Sequence, residues 1–289
     1  MHRDPEAEQG AEETPAPPVD CPWWRSALRW VRSHLVLSIL GVILLWVLVE
    51  AATIPWLEVA ELRSENPGET ALMRQRREEA EAEGKPLTIV REWVPLGKLP
   101  RHFLDAVIVA EDGTFYRHGG IEWYEVWESL RKNLEEGRVA RGASSITQQL
   151  AKNLYLTTDQ TPLRKLKELV ITLLLERELD KDRILELYVN LIEWGPGVFG
   201  VEAAARRYFG KPATRLSLEE SIRLAAVIPS PLRHRPDRES RYLRFHTRVI
   251  RQRMHARSML PAEVEPAEPP SAPYPPDAAD AEKETTDGL

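Results

Sequence analysis

The chain has 289 residues, a net charge of −6 and one cysteine, Cys21. This length can form a closed hydrophobic core in one large domain or two small ones, and a single cysteine excludes an intrachain disulfide. Residues 1–34 sum to −2 and residues 261–289 to −7, so the stretch 35–260 carries about +3. The central part of the chain is therefore suited to an anionic substrate, and we expect no nucleic-acid partner.

A candidate transmembrane anchor lies at residues 35–57. Its first 15 residues have no charge, and Trp30 and Trp56 stand where interfacial side chains of a spanning helix would lie. Residues 1–34 are predicted to be a disordered tail, and its basic flank next to the apolar run predicts a cytoplasmic N-terminus. A cleavable signal peptide is the alternative, with a poor small-residue site at residues 49–51 behind a long leader.

Helical patterns dominate the rest of the chain. Residues 58–98 are predicted to be a charged, membrane-proximal connection, with an exposed helix over 69–83 and an extended piece at 88–90. Residues 99–260 contain apolar positions at helical spacing. The predicted helices there cover residues 103–110, 163–179, 181–189, 201–209, 218–228 and 239–259. Residues 261–289 are predicted to be a disordered, acidic, proline-rich tail, so the fold class is mainly α.

The sequence EDGTFYRHGG at residues 111–120 contains the first candidate site residues. Glu111 ends a predicted helix, and the turn that follows it can project the carboxylate into a cleft as a general base. Asp112 and His118 are candidate substrate-binding residues in the same block. The alternative is a solvated helix end with His118 as an ordinary surface imidazole.

The sequence GASSITQQLAKN at residues 142–153 contains the second candidate group. Ser144, Gln148 and Lys152 are spaced at i, i+4 and i+8, so they are predicted to line one stripe of a helix. With Gln149 and Asn153 they provide a hydroxyl, amides and an ammonium, which suit phosphate and sugar oxygens. A solvent-facing polar helix is the alternative.

The third block, RKLKE at residues 164–168, opens the next predicted helix. Arg164 and Lys165 are candidates for binding an anionic leaving group, and Glu168 either positions them or holds a divalent metal. A simple surface ion pair between Arg164 and Glu168 is the alternative, worth a few tenths of a kcal/mol. In a further block at residues 181–190, a structural role for Glu186 and Asn190 competes with substrate contact.

These blocks, together with residues 200–211, resemble the family 51 glycosyltransferases in order and spacing over about residues 55–236. Residues 194–205 resemble the monofunctional branch, the biosynthetic peptidoglycan transglycosylases. The resemblance implies a lysozyme-like helical lobe with a smaller membrane-proximal lobe. It also implies polymerisation of lipid II into β-1,4-linked glycan, with inversion and release of undecaprenyl diphosphate, and a donor groove that moenomycin should block.

The resemblance also implies roles and partners. Glu111 would be the general base, and Glu168 would assist the leaving group with Lys152, Arg164 and Mg²⁺ or Mn²⁺, with no organic cofactor. The implied partners are lipid II, the growing glycan chain, the membrane, penicillin-binding proteins and proteins of the division and elongation machineries. The implied location is the inner membrane, with a periplasmic catalytic domain. Two positions depart from the family pattern: Ser145 replaces a threonine, and Gln160 replaces an arginine.

Two other functions compete with this one. Paired carboxylates in a helical lobe could hydrolyse a glycan, although a hydrolase needs no cationic stripe for a diphosphate. A non-catalytic scaffold is the third reading, but a scaffold has no reason to keep both Glu111 and Glu168.

Overall fold

The computed structural model describes residues 23–123, 127, 131, 144–159 and 161–260. These residues are mainly helical, as the sequence predicts. They belong to two compact units, divided between Thr53 and Ile54. The predicted disorder of residues 1–22 and 261–289, and the substitution at Gln160, lie outside the described residues.

The N-terminal unit contains two helices, α1 (Trp23–Ser33) and α2 (Leu35–Ala52). None of the 18 residues of α2 is buried, and the helix is long and apolar enough to cross a membrane. Two details differ from the sequence prediction. Residues 23–33 are helical where a disordered tail is expected, and α2 ends at Ala52, before Pro55, whose ring cannot continue a helix.

The second unit contains nine further helices among the described residues. In chain order they are α3 (Trp56–Glu61), α4 (Ala71–Ala82), α5 (Arg101–Glu111), α6 (Ile146–Tyr155), α7 (Pro162–Glu178), α8 (Lys181–Leu191), α9 (Val201–Phe209), α10 (Leu218–Val227) and α11 (Arg241–Ala256). Three short 3₁₀ turns lie at Leu96–Lys98, Phe115–Arg117 and Ala213–Arg215. A small sheet contains β1 (Val90–Arg91), β2 (Glu193–Gly195) and β3 (Val198–Phe199) in the order β1-β3-β2.

Local capping chemistry sets several helix ends. Asp180 accepts a hydrogen bond from the Arg183 N–H at the start of α8. Ser217 forms a capping box with Glu220 at the start of α10. Gly210 ends α9 at φ 67°, in the left-handed region that glycine enters without steric cost.

The core brings the end of α5 and the start of α6 together. Phe103 of α5, Leu150 of α6 and Tyr188 of α8 are fully buried. Helix α5 packs against α10 and α11, whereas α6 packs against α4, α7 and α8. Two segments that are more than 30 positions apart in the sequence therefore meet at Glu111.

Residues 58–98 belong to the same compact unit as the helices that follow them. Helix α4 packs against α6 and buries Leu72 and Met73, so it is not the fully exposed helix that the sequence predicts. The amide of Asn190 exchanges hydrogen bonds of 2.9 Å with both backbone groups of Val94. A carboxylate oxygen of Glu186 accepts from the Leu96 N–H at 2.8 Å. These contacts give the block at residues 181–190 a structural role.

Candidate active site

Glu111 is the last residue of α5 and lies at a cavity of about 530 Å³. The chain leaves the helix at Asp112 with φ −158° and ψ 77°, and the fully buried Phe115 anchors the turn that follows. The cavity is lined by Val109, Ala110, Glu111, Asp112, Gly113, Thr114, Glu122, Ser144, Ser145, Gln148, Arg253, Ala256 and Arg257. Four of the predicted site residues thus share one cavity.

The carboxylate of Glu111 is held by α6. Gln149 donates from Nε2 to Oε2 of Glu111 at 2.8 Å, and its Oε1 accepts from the Tyr188 hydroxyl at 2.9 Å. The pKa of Glu111 is raised from 4.5 to about 7, chiefly by burial; the hydrogen bond from Gln149 and the charge of Lys152 lower it, and the charge of Asp112 raises it. A carboxylate with a pKa near neutral is well matched to general base catalysis. Gln149, predicted to bind substrate, is hydrogen-bonded to the carboxylate of Glu111.

Asp112 and His118 contact each other. His118 Nδ1 accepts from the Gly120 N–H, so Nε2 carries the proton and donates to Asp112 Oδ1 at 2.9 Å. Asp112 Oδ2 accepts from the Ile146 N–H, the first residue of α6, at 3.1 Å. Both residues were predicted to bind substrate, and these hydrogen bonds show that they also connect the end of α5 to the start of α6.

Helix α6 begins at Ile146, two residues after Ser144, which the predicted stripe places in the helix. Ser145 is the N-cap and forms a capping box with Gln148, whose Oε1 accepts from the Ser145 N–H at 3.0 Å. Ser144 therefore precedes the helix, although it lines the cavity together with Gln148. The Ser145 hydroxyl also donates to the Gly120 carbonyl, at 2.5 Å.

We expect Ser145→Ala to lower the free energy of unfolding by about 1–2 kcal/mol, because it removes the cap and the bond to Gly120. Ser145→Thr keeps a hydroxyl at the same position and should stay within about 0.5 kcal/mol of the parent protein. Urea denaturation followed by circular dichroism measures both. Equal stability of the two variants would contradict the capping role.

The charge of Lys152 interacts with both candidate carboxylates, Glu111 and Glu168. Burial lowers its pKa from 10.5, while Glu168 and Glu111 both attract its charge and Arg164 and Lys165 repel it. Asn153, the next residue of α6, is 7% exposed and packs in the interior.

Arg164, Lys165 and Glu168 form a compact ionic cluster on the first turns of α7. Glu168 is 3% exposed; Arg164 donates to its Oε2 at 2.6 Å, and Lys165 pairs with its Oε1. Arg164 Nε is buried and has no hydrogen-bond partner among the described residues. Because Glu168 is buried, its contacts with Arg164 and Lys165 are more than a simple surface ion pair.

The predicted metal position at Glu168 does not fit a divalent ion well, because both oxygens of Glu168 already bind cationic side chains. The group of potential metal ligands that the described residues do bring together is Asp112, His118 and Glu122, whose ligand atoms lie within 4.8 Å of one another. Asp112 already accepts hydrogen bonds from His118 and from the Ile146 N–H. No catalytic step is therefore assigned to a metal.

Several cavity residues escaped the sequence prediction. Arg253 and Arg257 lie four positions apart at the end of α11, and both line the cavity. The sequence indicates a basic helix there but not which face meets Glu111. Tyr188 does not line the cavity, and the sequence does not indicate that its hydroxyl donates to Oε1 of Gln149.

Residues 81–255 match the family model described as transglycosylase. The chain belongs to this family. It is 43% identical over 194 residues to a protein of Nitrosospira multiformis, which covers 67% of this chain and 84% of the relative. A protein of Dechloromonas aromatica is 39% identical over 229 residues, covering 79% of this chain and 96% of the relative.

A protein of Aromatoleum aromaticum is 44% identical over 189 residues, or 65% of this chain and 82% of the relative. All three relatives are named biosynthetic peptidoglycan transglycosylase. The matches confirm the resemblance seen in the sequence, and family membership makes the chain a glycosyltransferase enzyme.

Proposed function

We propose that this enzyme polymerises lipid II into β-1,4-linked glycan strands and releases undecaprenyl diphosphate. The observation that carries the proposal is the half-buried Glu111, whose pKa is raised to about 7 beside a cavity large enough for sugar units. The desolvated Lys152 is electrostatically coupled to Glu111 on one side and to Glu168 on the other. A base and a cationic leaving-group site are thus adjacent.

In the proposed reaction Glu111 accepts the proton of the acceptor GlcNAc 4-hydroxyl. The hydroxyl oxygen attacks C1 of the donor MurNAc as the bond from C1 to the diphosphate oxygen breaks, so the α-linked donor becomes a β-linkage by inversion. Lys152, Arg164 and Lys165 stabilise the charge that develops on the diphosphate. Glu168 holds Arg164 and Lys165 in place for this.

Other predicted roles belong to the same proposal. Ser144 and Gln148 line the cavity and offer a hydroxyl and an amide for sugar hydroxyls. Helix α2 would anchor the enzyme in the inner membrane, with the arginine-flanked N-terminus in the cytoplasm and the catalytic unit in the periplasm. Penicillin-binding proteins and proteins of the division and elongation machineries are the proposed partners.

The test is incubation of the detergent-solubilised enzyme with labelled lipid II, followed by gel separation of products. We expect a ladder of polymer that muramidase digests, with undecaprenyl diphosphate released in step with each linkage. Cleavage of purified glycan strands without polymer formation would favour a hydrolase. Neither product from folded enzyme would favour a scaffold.

A further inference from the structure

The cavity at Glu111 contains two arginines that have no assigned role. Arg253 lies in the last turn of α11, Arg257 is the residue that follows the helix, and both side chains are exposed. Cations at this end of a helix interact favourably with its dipole. That effect alone would not require them to line the cavity.

The carboxylates that line the cavity accept hydrogen bonds from groups other than the two arginines. The donors are Gln149 for Glu111, His118 for Asp112 and the Thr114 hydroxyl for Glu122. Within the described part of the chain, neither Arg253 nor Arg257 forms an ion pair with a carboxylate. The nearest protein acceptor of Arg253 is the Val109 carbonyl, at 3.5 Å, which is at the limit of a hydrogen bond. Both arginines thus line the cavity, and apart from this contact of Arg253 their guanidinium donors have no hydrogen-bond partner among the described residues.

Arg257 lies over the turn that follows the catalytic carboxylate. A Cβ atom at Gly113 would be 2.3 Å from Nη2 of Arg257, so the guanidinium lies directly against this glycine. Arg257, Gly113 and Thr114 also line a second cavity of about 400 Å³, which continues to Tyr116. Arg257 therefore stands between the cavity at Glu111 and a space large enough for a further part of the substrate.

We propose that Arg253 and Arg257 form an anion subsite that binds an oxyanion of lipid II other than the donor diphosphate. This inference rests on the proposed function. The donor diphosphate is already assigned to Lys152, Arg164 and Lys165, none of which lines either cavity. Two sources of such an oxyanion remain on lipid II: a carboxylate of the peptide on muramic acid, and the diphosphate of the acceptor molecule. Both suit the planar donor fork of a guanidinium.

The test compares the double variant Arg253→Gln/Arg257→Gln with Arg248→Gln, an exposed arginine on the same helix that does not line either cavity. We expect the double variant to raise both the Kd for fluorescent lipid II and the KM by about tenfold, with kcat within about twofold of the parent. Arg253→Lys/Arg257→Lys should recover part of the affinity, because it keeps the charge without the fork. Circular dichroism verifies that each variant folds.

Lipid II with amidated peptide carboxylates distinguishes the two sources. If a peptide carboxylate is bound, amidation should weaken binding to the parent enzyme about tenfold and leave the double variant unaffected. If the acceptor diphosphate is bound, the double variant should weaken binding of both substrates equally. An unchanged Kd and KM, as for Arg248→Gln, would overturn the subsite. A parent enzyme that binds lipid II through these arginines but makes no polymer would instead contradict the proposed function alone.

Discussion

Replacing Glu111 by Gln should reduce polymerisation by about 10²- to 10⁴-fold while the protein stays folded, because the amide cannot accept the acceptor proton. The substitution largely keeps the shape of the side chain and its hydrogen bond from Gln149. The initial rate of labelled lipid II consumption measures the loss. Glu78→Gln, on the exposed side of α4, is a matched control for removal of one carboxylate and should retain the parent rate. Substantial polymer from the Glu111 variant would remove this residue as the base.

Although Glu111→Gln should lower activity, it should raise the stability of the protein at alkaline pH. The folded-state pKa of Glu111 is about 7, against 4.5 in the unfolded chain, so the folded protein binds the proton more tightly. The stabilisation of the fold by the proton on Glu111 is complete below pH 4.5 and is lost as the pH rises through 7. At 1.36 kcal/mol for each pKa unit the full difference is about 3 kcal/mol, and less where the side chain is open to the cavity. We therefore expect Glu111→Gln to melt higher than the parent at pH 8 but not at pH 4.5.

Replacing Lys152 by Met should reduce kcat/KM by about 10²- to 10³-fold, since it removes a desolvated positive charge from the proposed diphosphate site. The side chain has similar length, so packing is largely kept. Lys85→Met, at an exposed lysine, is the control and should have parent kinetics. Parent-like kinetics of Lys152→Met would place the diphosphate elsewhere.

The pH profile tests both residues together. Activity should rise through an apparent pKa near 7, as Glu111 loses its proton and becomes a base. It should fall on the alkaline side below the ordinary lysine range, because burial lowers the pKa of Lys152 and the ammonium is needed in its charged form. Lys152→Arg keeps the charge at every accessible pH and should remove the alkaline fall. A fall that persists in this variant would have another origin.

The parts of the fold that depend on local chemistry could be predicted from the sequence. Asp180 and Ser217 cap their helices through hydrogen bonds to residues three positions away, and Gly210 needs only its own backbone freedom. The start of α6 could not be predicted from helical spacing alone. Ser145 and Gln148 carry the capping-box pattern, yet helical spacing alone placed Ser144 inside the helix.

The partners of Glu111 could not be predicted from local patterns. Gln149 is 38 positions away and reaches the carboxylate only because α5 and α6 meet in the core. Asp112 and His118 have side chains that suit substrate binding, and only the packed structure shows that they satisfy each other. Arg253 and Arg257 belong to a helix with several arginines, so composition indicates a basic surface but not the two members that face the cavity.

The hydrogen bond from Tyr188 to Gln149 has a consequence for genetic screens. An amide side chain can rotate to exchange its oxygen and nitrogen, and the Tyr188 hydroxyl, whose pKa burial raises well above 10, remains a donor that fixes the orientation presented to Glu111. A selection for loss of function should therefore recover Tyr188 variants alongside those of Glu111, although Tyr188 is fully buried and its hydroxyl is hydrogen-bonded to Gln149 and not to Glu111. Inactive alleles at this tyrosine would map an interior contact, not a substrate-binding surface.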